Sequence, residues 1–469
     1  MADQQDHTSG RTDASRAGEL DRRSMLKLLG AGVLGVGGAG LVSGSASASS
    51  SRLRSTRQTR ISAAGSSTIK IGYITPRTGP LAGFSESDPF ILGKVRRTAQ
   101  FSRGLKIGGK HYSVRIKVID SQSTPNRAAQ VAQQLALSTK VDLILVSSAP
   151  ETTNPVAAAA EQYHVPCLAT VVPWESWYAG LGGDPLKPTK SFEYCAMFFF
   201  GMKEFAETFL PMWERIQKKT HADKVFAGMY PNDADGNAFR AGFPHYAEAA
   251  GYKFVTGGAF TDGTTTYSSM IADFKSHNCA FFQNCPLPPT FNTFWKQAIT
   301  RDYKPVLATV AKVLLFPSTV DALGKLATNI ATDAWWTPFT PHKSSLDGET
   351  ARELASQWQH ATGNVWWQSL GSTYSLFEVA VEAFSSVSTP HDHREVAAAL
   401  HKVNYTGMCG TIDFAKGPAP GVGIIYPVGV QWKPDLEVLG KKFPWVPAVV
   451  DNSLAKETKL TGSLVAGTY

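Results

Sequence analysis

From residue 69 onward, short continuous apolar runs alternate with longer mixed stretches. Ile69-Lys70-Ile71-Gly72-Tyr73-Ile74 reads as a buried first strand, followed by a Gly/Pro loop over 76–89 and a helix over 91–102. Further strands are expected at 113–119, ending at Asp120, at 142–146, ending at Ser147 and Ser148, and at 165–172. Helices over 127–138 and 155–163 separate them. Continuous apolar strands joined by helical crossovers indicate a parallel sheet covered on both faces. The pattern then restarts, with helices at 205–218, 238–250, 267–276 and 291–300 between strands at 224–229, 252–256, 279–283 and 306–309. The expected fold class is α/β, with two doubly wound parallel-sheet lobes and a Pro/Trp-rich stretch over 333–368. No tandem repeat shows at a solenoid period. Ligands of such sheets sit beyond the carboxyl ends of the strands. The loops of interest are therefore 75–89, 147–153, 172–177, 230–237, 284–289 and 311–316.

Ahead of this pattern stands a segment of another kind. Asp21-Arg22-Arg23-Ser24-Met25-Leu26-Lys27 resembles a twin-arginine export motif, and a Gly-rich apolar run over 28–42 follows it. That run is shorter than the roughly 20 residues a membrane-spanning helix needs. Ala46-Ser47-Ala48 fits a small-x-small cleavage site, so the mature chain is expected to begin near Ser49, periplasmic or secreted. Gly30-Ala31-Gly32-Val33-Leu34-Gly35 matches the dinucleotide fingerprint only inside this segment, outside any βαβ unit, and is discarded.

The formal charge of +8 invites a nucleic-acid reading. Its distribution argues against one. Residues 1–48 carry five bases and five acids, and Arg52, Arg54, Arg57 and Arg60 stand in an acid-free Ser/Thr/Arg linker over 49–66. About half of the excess thus lies in one short tract, and no nucleic-acid partner is expected. Five cysteines rule out a disulfide-built scaffold, though Cys279 and Cys285 are close enough in sequence to pair in an oxidising compartment. Neither a G-x-S-x-G elbow, a Walker A loop nor H-E-x-x-H is present. Asn232-Asp233-Ala234-Asp235-Gly236 lacks the later Gly and Glu of a calcium loop, because those positions hold Ala238 and Pro244. The loop either hydrogen-bonds a solute or caps the following helix. His391-Asp392-His393 reads as a helix N-terminus rather than a metal set. No metal, cofactor or catalytic residue is expected.

Several of these residues together resemble the type I periplasmic solute-binding proteins of ABC importers, in the branch of the leucine/isoleucine/valine-binding proteins. They are Ile69-Lys70-Ile71-Gly72 with Thr78-Gly79-Pro80-Leu81-Ala82, Asp120, Ser147-Ser148, Val165-Pro166 and the segment 262–274. The resemblance spans about residues 69–432. It implies two lobes joined by a three-crossover hinge, with 67–190 and 333–407 in the first lobe, 191–332 and 408–450 in the second, and a tail over 451–469. It also implies a small-molecule solute, a membrane permease as partner, a monomer and no catalysis. In that family a Ser or Thr after the third strand and amides after the fourth hold a ligand carboxylate. The resemblance thus points to Ser148 and Ala149, with Val172 and Trp174 near the second position. Phe84 falls where an aromatic packs on the ligand, and Asn232 and Asp233 lie in the second lobe's polar loop. Amino-acid binders place an acid for the ligand's ammonium near the position that here is Ala311, followed by Lys312, and residues 306–316 hold no acid. A second anionic group on the ligand suits Lys312; Asp233 or Asp235 remain as ammonium partners.

The eleven Trp bear on the solute. Trp174, Trp177 and Tyr178 fall on an expected cleft edge, either as core plugs or as cleft lining. In each of the pairs Trp335-Trp336 and Trp366-Trp367, one ring faces in and the other out if the backbone is extended. Trp213 and Trp358 read as core. The expected solute is a small carboxylate-bearing molecule, an aromatic or hydrophobic organic acid first and an amino acid second. The rival readings are a secreted α/β hydrolase and a ligand sensor for a membrane receptor.

Overall fold

The computed structural model describes residues 67–469. The twin-arginine motif, the cleavage site near Ala48 and the basic linker lie outside the described residues. Two seven-stranded sheets account for most strands. The first joins β1 (Thr68–Thr75), β2 (Leu105–Ile107), β3 (Lys110–Asp120), β4 (Leu143–Ser147), β5 (Cys167–Thr170), β6 (Cys195–Phe198) and the distant β14 (Val422–Gly423), in the order β14-β6-β5-β4-β1-β3-β2. All its pairings are parallel except β2–β3, an antiparallel hairpin that the hydrophobic pattern does not reveal. The second joins β7 (Val225–Pro231), β8 (Lys253–Phe260), β9 (Phe281–Asn284), β10 (Leu307–Val310), β11 (Ala331–Ala334), β15 (Val428–Val438) and β16 (Lys441–Asp451), in the order β16-β15-β11-β10-β9-β7-β8. Its first five strands run parallel; β15 and β16 add an antiparallel edge. The remaining pair, β12 (Asn404–Gly407) and β13 (Gly410–Asp413), is a small hairpin.

The centre of each sheet follows from its residues. Leu-Ile-Leu-Val-Ser of β4 is buried at every position, because strands pair on both sides and helices cover both faces. In the first sheet β1 lies between β3 and β4, so the connections leave in opposite directions there; in the second, β7 lies between β8 and β9. These are the switch points where the loops beyond the strands separate and leave a crevice. The chain changes sheet three times, between β6 and the helix Met202–Thr220, after β11, and between β14 and β15. The sequence places these crossovers at about 190, 332 and 407. The tail folds back on the second lobe: Gln431 donates to the Val465 carbonyl at 2.9 Å, and the Tyr469 ring meets Trp295 edge-on at 4.8 Å.

The helices differ from expectation mainly at their ends. The helix expected over 91–102 is split: α1 (Asp88–Val95) is followed by extended Thr98 and a four-residue turn, Ala99–Ser102. The helix expected from 155, α2 (Pro150–Gln162), starts at Pro150, which needs no amide partner in a first turn. Pro155 thus lies inside a helix it had seemed to open. Trp174, Trp177 and Tyr178 stand on a short helix, α3 (Trp174–Gly180), not on a loop. Helix α4 (Ala234–Ala249) starts within the expected loop 230–237, with Asp233 as its N-cap accepting from the Gly236 amide at 2.7 Å. A side chain at Gly236 would meet the Pro231 carbonyl at 2.0 Å, so only glycine fits there. Asp392 likewise caps His393–Leu400. Trp213 and Trp358 are buried core residues. All five cysteines are free thiols, and Cys279 and Cys285 form no disulfide.

Candidate functional site

The crevice lies between the loops after β1, β4 and β5 on the first lobe and those after β7, β10 and β11 on the second. Phe84, Ala149, Val171, Pro173 and Phe199 line it from one side, and Phe205, Asp235, Phe239, Ala311, Lys312, Leu315, Asp333 and Trp335 from the other. The lobes are drawn together, and the pocket has only about 30 Å3 of free volume, about one water's room.

Lys312 is the centre of the closure. Its Nζ lies 2.8 Å from Asp235, 3.3 Å from Glu151 and 3.8 Å from Asp233. Glu151 stands in the first turn of α2 on the first lobe; the other two open α4 on the second. Burial alone lowers a lysine's pKa, but the surrounding carboxylates outweigh it and hold the Lys312 ammonium well above the ordinary range. Burial pushes the Glu151 carboxyl up to about 7 against the pull of Lys312. Asp235 is raised too, again by burial with Lys312 opposing. The backbone that aims Lys312 is strained. Its φ of 64° and ψ of −48°, with the Val313 amide donating to the Ala311 carbonyl at 2.6 Å, make a γ-turn of the rare hand. Such strain persists only where the surroundings enforce it, and it gathers at functional sites. Further contacts cross the crevice, among them Ser176 to the Asp235 carboxylate at 3.4 Å. Ser176 donates to the Ala234 carbonyl at 3.2 Å, and the Phe84 and Phe316 rings meet edge-on at 4.9 Å.

Asp333 presents the opposite case. It is the third residue of the four-residue β11, is 1 % exposed, and accepts from the Thr332 hydroxyl at 3.5 Å and from its own backbone amide. Burial pushes its carboxyl up to about 7. Aromatic rings lie beside it: Trp335, two residues on, meets Phe199 edge-on at 5.0 Å, and Phe205 packs on Phe239 at 4.7 Å.

Of the residues singled out from sequence, Phe84, Ala149 and Lys312 line the pocket together. Asp233 reaches its edge through Lys312, while Asn232 is exposed outside it. Ser148 is fully buried, and its hydroxyl has no hydrogen-bond partner. Val172 and Trp174 are buried but point elsewhere; Val171 and Pro173, one residue to either side of Val172, take the lining positions. Trp174 packs on Tyr178 at 6.2 Å instead. Of the Trp pairs, Trp335 supplies the ring that faces the pocket. Asp333, Phe199, Phe205 and Phe239 were not anticipated. The one signal for Asp333 was an acid inside an otherwise apolar strand run. Lys312 is also not the free base the sequence suggested, since three carboxylates already surround it.

The geometry is therefore a two-lobed cleft closed over a small, ring-lined pocket. The periplasmic binding protein family matches residues 68–423. The chain belongs to that family. Solved structures agree on the fold. A leucine-binding protein from Thermotoga maritima superposes with a TM-score of 0.64 at 16% identity, covering 80% of this chain and 97% of that one. A solute-binding protein of an ABC transporter from Rhodopseudomonas palustris BisB5, in complex with 3,4-dihydroxybenzoic acid, gives 0.60 at 15% identity, covering 82% and 99%. A branched-chain amino acid transporter substrate-binding protein from Streptococcus pneumoniae, in complex with isoleucine, gives 0.59 at 15%, covering 81% and 99%. Family members are solute-binding receptors rather than enzymes, and membership implies an extracytoplasmic location. No helix among the described residues is long and apolar enough to cross a membrane.

Proposed function

We propose that this periplasmic binding protein is the solute receptor of an ABC importer, delivering a small organic solute to a membrane permease after twin-arginine export. The observation that carries the reading is the ion cluster of Lys312 with Glu151, Asp233 and Asp235. It joins the two lobes across a pocket that both of them line, as a receptor that closes on its solute requires. Five aromatic rings, those of Phe84, Phe199, Phe205, Phe239 and Trp335, favour a solute with an aromatic or hydrophobic body. A carboxylate on it fits the start of α2, where the N-cap Ala149 lines the pocket at the positive end of the helix dipole. The buried, unpartnered Ser148 hydroxyl stands beside that turn. Lys312 drops out of the carboxylate reading because its counter-ions are already in place. Aromatic or hydrophobic organic acids come first as solutes and amino acids second. The pocket lining holds no histidine and no serine, threonine or cysteine, so the hydrolase reading gains no hydroxyl or thiol nucleophile paired with an imidazole there.

Thermal unfolding with benzoate, 4-hydroxybenzoate, leucine and phenylalanine tests this. At least one should raise Tm by several degrees at millimolar concentration, and Ser148→Ala should reduce that rise. No shift with any of them, or an unchanged shift in the Ser148 variant, would sink the carboxylate reading. Turnover of an ester or amide substrate would sink the receptor reading.

A further inference from the structure

Charge is spread unevenly over the fold. Residues 89–141 hold ten Lys or Arg and a single acid, Asp120, whereas the rest of the described residues carry 27 bases against 32 acids. The basic stretch covers α1, the β2–β3 hairpin that ends the first sheet, and the helix Pro125–Gln134 with its closing turn Leu135–Thr139. Among the described residues only Lys94 of the ten has an acid partner, Glu349 at 2.6 Å. Eight of the other nine are exposed, and Arg127 is half-buried.

The hairpin sets these bases in a row. Lys106 stands opposite His111 across the two strands. Along β3 the exposed positions then recur at every second residue, as His111, Ser113, Arg115 and Lys117, while Val114, Ile116 and Val118 between them are half-buried. Alternate residues of a strand share a face, so Lys106, Arg115 and Lys117 line one side of the sheet's edge. Lys117 Nζ donates to the Thr139 hydroxyl at 3.0 Å, which ties the row to the neighbouring Lys140 and to Leu137, an apolar side chain 53 % exposed. The chain also enters the fold here. The Ser113 amide donates to the Ser67 carbonyl at 2.9 Å, and the acid-free tract with Arg52, Arg54, Arg57 and Arg60 immediately precedes Ser67.

Like charges gathered without acids repel one another, and whatever brings negative charge relieves them. These bases come from three elements rather than one cleft, and an exposed leucine stands among them. That spread suits a broad anionic surface, whereas a small anion or a single acidic peptide needs converging donors. A bilayer rich in acidic phospholipid is such a surface. The excess of acids over the rest of the fold turns this edge toward it.

We infer that the β2–β3 edge of the first lobe is a membrane-docking face, held on anionic phospholipid by its unpaired lysines and arginines. It keeps close to the bilayer a chain that has no membrane-spanning helix among its described residues. None of these residues lines the pocket, so the inference stands apart from the identity of the solute.

Co-sedimentation of the full chain with vesicles of mixed phosphatidylglycerol and phosphatidylcholine, and with vesicles of phosphatidylcholine alone, tests it at low ionic strength. The mixed vesicles should bind at least about tenfold more tightly, and about 0.5 M salt should abolish the difference. Lys106→Gln, Arg115→Gln and Lys117→Gln together should weaken binding to the mixed vesicles on the order of a hundredfold, about fivefold for each base. Tm and the rise in Tm with solute should stay as in the parent chain. Lys106→Arg with Lys117→Arg keeps the charge and should bind as the parent does, which separates charge from local structure. No preference for the anionic vesicles, or a preference that survives in the Gln variant, would overturn the docking face and leave its bases as guards of an open sheet edge. Binding to soluble polyglutamate with none to the vesicles would overturn it in favour of an acidic protein partner. Neither outcome touches the receptor reading.

Discussion

Lys312, just after β10, and Asp333, within the adjacent β11, are both buried and line one pocket. Their surroundings are opposite. Lys312 has three carboxylates within 4 Å, drawn from both lobes, and a strained backbone that aims it at them. Asp333 has rings beside it and only local donors, the Thr332 hydroxyl at 3.5 Å and its own amide. A buried charge that the fold has compensated holds the molecule in a shape. A buried charge left uncompensated destabilises the protein that holds it.

The strongest way to break the contrast is Lys312→Met. The ring of carboxylates then loses its only base, and removing one partner from a buried ionic cluster costs about 3–5 kcal/mol. A marked drop in Tm is expected, together with a larger radius of gyration by small-angle X-ray scattering as the lobes part. An unchanged Tm would mean that the cluster is solvated in solution. Lys312→Gly refines the same test. Glycine accepts the positive φ of 64° without strain, so this variant should be less destabilised than the Met variant by about 1 kcal/mol.

Asp333→Asn is the counter-experiment, and its sign is opposite. A carboxyl whose folded pKa is raised to about 7 binds its proton more tightly in the native state than in the unfolded chain. Its penalty is therefore absent at low pH, grows as pH rises from about 4, and is complete above about 7. Glu151 and Asp88, also raised to about 7, and Glu175, raised to about 8, act in the same direction. Tm should thus fall between pH 5 and pH 8. Asp333→Asn should raise Tm at pH 8, change it little at pH 5, and flatten part of that slope. A lower Tm at pH 8 would make Asp333 a structural acid.

How much of this could be read from the chain differs between scaffold and site. Continuous apolar runs such as β4 specify a central parallel strand, and the alternation with helices specifies two doubly wound lobes. The loops that line the pocket follow from that topology. Which residue of a loop faces the pocket does not, because side-chain direction reverses at each extended residue. Val171 and Pro173 occupy the pocket while Val172 turns away. Asp333 was hidden for a related reason. The search for an acid kept to the segment after β10, whereas the acid stands on the neighbouring strand, and strand adjacency is a tertiary fact. Nothing local marks Lys312 as a γ-turn, since a positive φ at a lysine is imposed by what surrounds it.

Glu151→Gln is the smallest change and tests whether closure is separable from folding. Glu151 is the cluster's only carboxylate on the first lobe, and Lys312 keeps Asp235 at 2.8 Å without it. Stability should change by less than about 1 kcal/mol, because the glutamine amide still reaches the loop and the base remains paired. The lobes, in contrast, lose their ion pair across the crevice. The empty protein should spend more time open, with a larger radius of gyration and faster solute association, and the bound solute should dissociate faster. Burial on closure raises the Glu151 pKa to about 7, above that of the hydrated open form, so raising the pH from 6 to 8 in the unaltered protein weakens closure and association should quicken. The glutamine variant should lose that pH dependence. If its association rate and scattering profile match those of the parent chain, the Lys312 cluster stabilises the second lobe alone and closure depends on the aromatic contacts.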